Sequence, residues 1–175
     1  QKANYFLTKA ATRERTFYGS LAMASLGYEY TPKFELPKYD RNLLKKINKH
    51  KGGIRALALI EVKEYYKAAR EFRKIITKFD VKDYPQLLSF ISKNNMPGLT
   101  FRLAAILRND YGQIHLGGLY PIPSWKMDTS DLKDRALIYA IARQESGFNP
   151  RAKSSSKAMG VLQIIPSTAA FIMKN

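Results

Sequence analysis

From residue 13 to residue 111 one pattern dominates: apolar residues spaced by three and four, cut at short intervals by proline or glycine. That period is helical, and no convincing series of alternating residues precedes residue 150. A first helix is expected from Arg13 to Tyr30, with Phe17, Leu21, Ala24 and Leu26 near one face. Pro32 and Pro37 then force an extended connection. Asp40 or Asn42 can cap a helix from Leu43 to Lys49, which Gly52 and Gly53 would end. Ile54 to Tyr65 and Tyr66 to Phe79 continue the series, followed by Gln86 to Ser92, stopped by Asn94, Asn95, Pro97 and Gly98. Leu99 to Tyr111 closes it at Gly112. Short helices joined by short turns stack as hairpins into an α-solenoid, so the expected fold class is mainly α and superhelical. Tyr18, Tyr65, Tyr66 and Phe72 fall at helical spacing and are expected to pack between helices.

Near residue 112 the texture changes. Gly117, Gly118, Pro121 and Pro123 make a linker ending in Tyr-Pro-Ile-Pro-Ser-Trp. Asp128, Ser130 and Asp131 offer N-caps for a new helix from about Asp131 to Gln144. These signals place a superhelical and linker region at 1–124 and a second domain at 125–175.

The apolar content is 45% and the charged content 25%, enough for a packed core. No apolar run approaches the roughly 20 residues of a membrane span. Residues 1–11 lack the charged start and apolar centre of a signal peptide. There is no cysteine, so disulfides and thiolate metal sites are excluded, and His50 and His115 have no ligand-like spacing. No metal or other cofactor is expected. The net charge of +16 calls for a polyanionic partner such as nucleic acid, an acidic membrane surface or a cell-wall polymer. Most of it lies before Asp134.

One residue is out of place. The helix of small and apolar residues through Ala140, Ile141 and Ala142 ends on Glu145, although the negative end of a helix dipole disfavours an anion. The dipole and an apolar setting both favour the protonated acid over the carboxylate. A carboxylic acid kept protonated is what acid-catalysed cleavage of a glycosidic bond requires. Glycosidases with two carboxylates hold the pair about 5–10 Å apart. Here the nearest acid in sequence is Asp134, roughly 16 Å away along the same helix at about 1.5 Å per residue. No Asp or Glu follows Glu145. A partner acid could come only from the helical region or from sequence beyond this chain.

Glu145-Ser146, then Phe148-Asn149-Pro150, Ser154 and Gly160-Val-Leu-Gln-Ile-Ile-Pro-Ser-Thr-Ala169 resemble the signature of the lytic transglycosylase catalytic domain, in the goose-lysozyme-like group of glycoside hydrolases. Upstream, the helical series, Phe17-Tyr18-Gly19 and the Tyr-Pro-Ile-Pro-Ser-Trp linker resemble the superhelical region of the large soluble enzymes. The resemblance implies that residues from 125 on begin a lysozyme-like, α-rich catalytic domain. It implies that Glu145 protonates the oxygen between N-acetylmuramic acid and N-acetylglucosamine. The same residue then takes the proton of the muramoyl C6 hydroxyl, leaving a 1,6-anhydro product. Ser146 would support the local turn, and Ser154 would lie near the acid and the substrate's N-acetyl group. Gln163 would hydrogen-bond sugar, and Gly160 would let the backbone approach it closely. Gly-Val-Leu-Gln stands where the family usually has Gly-Leu-Met-Gln.

The resemblance also implies peptidoglycan strands as substrate, cell-wall synthesis proteins as partners and a periplasmic setting, with no nucleic acid. The family's later Ala-Tyr-Asn-Ala-Gly motif is not found, so the chain is expected to be part of a longer enzyme. Two other functions fit the residues. One is a lysozyme-type hydrolase that uses water. The other is a non-catalytic basic helical module, which would bind nucleic acid with steep salt dependence.

Overall fold

The computed structural model describes residues 2–13, 16–29 and 31–174. The chain divides into two compact units, Gln1–Lys33 and Phe34–Asn175. The expected boundary after residue 124 falls inside the second unit.

The first unit is a pair of packed helices, α1 (Lys2–Ala11) and α2 (Phe17–Ser25). The periodicity between 13 and 30 predicted one long helix, and the structure differs. Thr16 caps α2, its hydroxyl accepting the Gly19 N–H at 3.0 Å. Gly27, at φ +74°, sits in the left-handed region just past the end. Glu14, Arg15 and Tyr30, at the margins of the expected helix, lie outside the described residues. Gly19 is required by proximity, because a Cβ there would stand 1.9 Å from the Arg13 carbonyl oxygen. Ala22 is buried in this unit, whereas Phe17, Tyr18 and Leu21 are exposed rather than packed.

The second unit runs α3 (Arg41–Asn48), α4 (Lys51–Glu61), α5 (Tyr65–Ile75), α6 (Tyr84–Lys93), α7 (Pro97–Tyr111), α8 (Leu116–Leu119), α9 (Leu132–Ser146) and α10 (Pro166–Lys174). Single 3-10 turns at Ile76–Lys78 and Val81–Asp83 link α5 to α6. Asp40 caps α3, accepting the N–H groups of Asn42 at 2.9 Å and Leu43 at 3.0 Å. Gly52 and Gly53 do not end a helix but begin α4. A Cβ on Gly53 would lie 2.0 Å from the Ile47 carbonyl oxygen, and one on Gly52 would lie 2.9 Å from the Ile75 side chain. The pair of glycines is thus a close-approach point where α4 meets both α3 and α5. Helix α7 starts at Pro97 in its first turn, and Gly112 ends it at φ +67°.

Consecutive helices pack pairwise, α3 with α4, α4 with α5, α6 with α7, and α7 with α8. Their shared core holds Ile47, Phe72, Leu87, Leu88, Ile91, Leu99, Leu103 and Leu107, all essentially inaccessible. The all-α, hairpin-built class expected from the periodicity is the class observed. Among the described residues, the extended pairing is confined to isolated bridges of Met159 with Lys153 and Ile164. None of their helices is long and apolar enough to cross a membrane.

The glycine-rich linker is more ordered than its composition predicted. Gly117 and Gly118 lie in α8, where a Cβ on Gly117 would come within 2.1 Å of the Phe34 carbonyl oxygen. His115 stands at the N-cap position of this helix without a side-chain capping bond, and its Nε2 is buried with no hydrogen-bond partner among the described residues. Burial holds the imidazole below its ordinary value of 6.5. The neutral ring is therefore the folded form, and the unfolded chain binds the proton first. Stability is expected to fall as pH drops through 6.5 toward the depressed folded value. Urea unfolding between pH 7.5 and 5.5 should show this slope, and His115→Asn should remove that component of it.

Candidate functional site

Helix α9 carries the candidate acid. Asp131 caps its start, accepting the Lys133 N–H at 2.7 Å. At its end Gly147 adopts φ +57° and donates to the Arg143 carbonyl, while Phe148 donates to the Ala142 carbonyl. This paired closure satisfies two of the orphan carbonyls of the last turn. The helix reaches Ser146, two residues past the expected end at Gln144, so Glu145 sits within the final turn.

The inward face of α9 is held in several places. Ala142 is fully buried. Arg143 donates through Nε to the Leu119 carbonyl at 2.8 Å, and its guanidinium stacks 4.7 Å from the ring centres of both Phe101 and Tyr120. The Tyr139 hydroxyl donates to the Pro123 carbonyl at 3.0 Å. Phe148, also buried, meets Trp125 at 6.0 Å and Phe101 at 6.4 Å between ring centres. Where α7 starts, a Cβ on Gly98 would lie 3.1 Å from the Gly147 carbonyl oxygen. The hairpin core thus fixes the end of α9 directly.

The outward face is bare. Leu137, Ile141 and Glu145 follow each other at intervals of four, so they share one side of the helix. Leu137 is 60% exposed and Ile141 40%. Glu145 is also exposed, and no hydrogen bond or ion pair among the described residues reaches its carboxylate. The apolar enclosure expected around this acid is not formed by the residues described.

Ser146 joins the turn to the loops that follow. Its Oγ lies 2.9 Å from the Val161 carbonyl oxygen and 3.1 Å from that of Ala142, and it accepts the Asn149 N–H at 3.1 Å. One hydroxyl proton serves one carbonyl at a time, so the longer-range contact competes with the helical one. The Ser154 hydroxyl accepts the Ala158 N–H at 3.1 Å and closes the 154–158 turn. Gly160, at φ +76°, donates its N–H to the Ala152 carbonyl at 3.0 Å. Its Cβ position faces open space, so the backbone angle and not crowding favours glycine there. Gln163, at φ +48°, donates through Nε2 to the Gly160 carbonyl at 2.8 Å. Met159 and Ile164 exchange backbone hydrogen bonds at 3.1 and 3.2 Å across this turn.

Ser146, Ser154, Gly160 and Gln163 therefore belong to one hydrogen-bonded loop block tied to the last turn of α9, and Glu145 is exposed in that same turn. Gln163 spends its amide on its own loop, which spacing did not foretell. Arg143, Trp125 and Phe148, which seat the block, were legible only as a helix-spaced cation, the end of the linker and part of the motif. Ser146→Ala removes the tie to Val161 and the acceptor of the Asn149 N–H. The expected cost is about 1 kcal/mol. Hydrogen exchange should read it as roughly five-fold faster exchange at the Asn149 amide. No group of acidic and histidine residues suited to a metal ion occurs among the described residues.

The described residues form an all-α body of helical hairpins, with an exposed acid in the last turn of α9. Residues 126–175 match the family model described as the Transglycosylase SLT domain. Over 169 residues, 94% of this chain, it is 28% identical to the soluble lytic murein transglycosylase of Salmonella typhimurium, 25% of which is covered. The 70 kDa soluble lytic transglycosylase of Escherichia coli has a similar structure, with a TM-score of 0.72 and 22% identity. So does an inactive glutamate-to-glutamine mutant of the lytic transglycosylase Slt of Pseudomonas aeruginosa, with a TM-score of 0.72 and 24% identity. Each of these two matches covers 99% of this chain and 28% of the other. The chain thus spans about a quarter of the length of its relatives.

Proposed function

We propose that this chain is the part of a periplasmic peptidoglycan lytic transglycosylase that joins its helical region to its catalytic domain, with Glu145 as acid and then base. Glu145 gives its proton to the oxygen of the β-1,4 bond between N-acetylmuramic acid and N-acetylglucosamine, and the C1–O bond breaks. The resulting carboxylate takes the C6 hydroxyl proton, O6 bonds to C1, and the acid is restored. No water is consumed, and the product is a 1,6-anhydro sugar. The observation that carries this reading is the placement of Glu145, an exposed acid in the last turn of α9 to which Ser146 ties the following loop, within the family-matching segment. The inactive Pseudomonas aeruginosa relative, with its glutamate-to-glutamine change, supports an essential glutamate in that family.

Mass analysis of muropeptides released from purified sacculi by the full-length protein tests the reaction. Products lighter by one water than the hydrolysis products are expected. Reducing-end products would assign a lysozyme-type hydrolysis instead. The basic surface has a use under this reading, because stem-peptide carboxylates make the polymer anionic. Raising salt from 0.1 to 1 M shortens the screening length from about 10 to about 3 Å, and wall binding should weaken in step. Pull-down with sacculi at both salt concentrations reads this directly.

A further inference from the structure

The shortest helix of the second unit, α8, carries two of the contacts that hold α9. Its last residue is Leu119, whose carbonyl accepts the Arg143 Nε hydrogen at 2.8 Å. The next residue, Tyr120, supplies one of the two rings that flank the guanidinium. α8 has little of its own to keep it formed. It is one turn of Leu-Gly-Gly-Leu. Gly118 and Leu119 donate to the His115 carbonyl, each at 3.0 Å, and Tyr120 donates to that of Leu116 at 2.8 Å. Half of its residues are glycines, which lose the most conformational freedom on ordering. Its seat is therefore tertiary. A Cβ on Gly118 would stand 2.8 Å from the Ala104 Cβ of α7 and 2.9 Å from the Leu88 side chain of α6, and Leu119 is buried.

His115 leads into this turn with its Nε2 buried and unpartnered among the described residues. A neutral imidazole can keep its hydrogen on Nδ1 and leave a bare lone pair at Nε2. An imidazolium carries a hydrogen on both nitrogens. Protonation therefore puts a donor and a charge where no acceptor waits. The ionisable side chains of the elements around α8 are Tyr84 and Lys93 on α6, Arg102, Arg108, Asp110 and Tyr111 on α7, Glu35 in the 34–36 stretch beside Gly117, and Arg143. Burial, and no charge among these, is what depresses the pKa of His115. The charged ring is stable only where it reaches water, so it favours conformations in which α8 has left its seat. We propose that neutral His115 is a positioning residue for Glu145: with the ring seated, α8 presents the Leu119 carbonyl and the Tyr120 face to Arg143, and protonation of the ring releases that hold on the end of α9. This role rests on the reading of Glu145 as the acid and adds acid-sensitive control of its placement. The released ring binds the proton first. The hold is therefore complete above 6.5 and is lost as pH falls from 6.5 toward the depressed value of the seated ring.

Hydrogen exchange on the full-length protein at about pH 7.5 and 5.5, corrected for the intrinsic pH dependence of exchange, tests this without reference to catalysis. Opening is expected to rise together at the Leu119 and Tyr120 amides of α8 and at the Gly147 and Phe148 amides that close α9, by up to about ten-fold at the lower pH. The Phe72 amide in α5 should not follow. His115→Asn should abolish the rise. Turnover of sacculi gives the second readout, because the ratio of turnover at the lower pH to that at the higher should be larger in His115→Asn than in the parent. Unchanged exchange in the parent, a rise that persists in His115→Asn, opening of α8 without the end of α9, or equal turnover ratios would each overturn the assignment. If His115→Asn does not fold, the parent's α8 and α9 amides against Phe72 decide. If exchange behaves as expected but Glu145→Gln still forms anhydro products, the reading of Glu145 fails and the acid-sensitive hold on α9 stands. If exchange is flat while turnover depends on Glu145, only the role of His115 falls.

Discussion

Turnover of purified sacculi by the full-length protein is expected to fall by a factor of about 10²–10⁴ when Glu145 becomes glutamine, the usual range for loss of a general acid–base group. The amide matches the acid in size and holds no transferable proton. Because the side chain is exposed and without a hydrogen-bond or ion-pair partner among the described residues, little else should change. Unfolding free energy should stay within about 0.5 kcal/mol of the parent, as for other surface substitutions. Asp134→Asn is the control. Asp134 sits in the first turn of the same helix, accepting from the Thr129 hydroxyl at 3.3 Å. It should leave turnover unchanged. A comparable loss in both variants would contradict a mechanism with one acid.

Phe72→Ala should give the largest loss of stability, about 3–5 kcal/mol, from the transfer and cavity costs of emptying an aromatic site. The ring is completely buried and meets Phe90 edge-on at 5.8 Å between centres. Its neighbours come from several helices of one close-packed core, so the hole cannot collapse without moving them. A loss of that size is a large share of the roughly 5–15 kcal/mol that holds a domain together. Phe17→Ala, at a ring that is 76% exposed in the first unit, should cost within about 0.5 kcal/mol. Denaturant midpoints separate the two. Similar losses would mean that the exposed ring is covered in the full-length protein.

Helix boundaries were legible where the chain carries its own punctuation. Gly112 ends α7 through a backbone rule that needs no tertiary partner, and Asp40 and Asp131 cap as their side-chain chemistry predicts, whereas Pro97, expected only to stop the preceding helix, opens α7. The pattern misled where a residue's role depends on a neighbour distant in sequence. Gly52 and Gly53 read locally as a terminator, yet they let α4 come against Ile47 and Ile75. Tyr18 has the same helical spacing as Phe72, but only Phe72 finds a core to enter. The candidate site divides in the same way. The motif singled out Glu145 and the loops that follow it. It could not say that the acid stands exposed, that Gln163 folds back on Gly160, or that Arg143 pins the helix, because each depends on which surfaces meet.

Arg143 has a mechanical consequence. Rolling α9 about its axis would tear the guanidinium from two aromatic faces and from the Leu119 carbonyl together. Any pull on the end of α9 is passed through that side chain into α7 and α8, and the hairpin stack serves as the anvil. The 154–158 turn, by contrast, closes on its own local bonds, so a load carried by Arg143 need not pass through it.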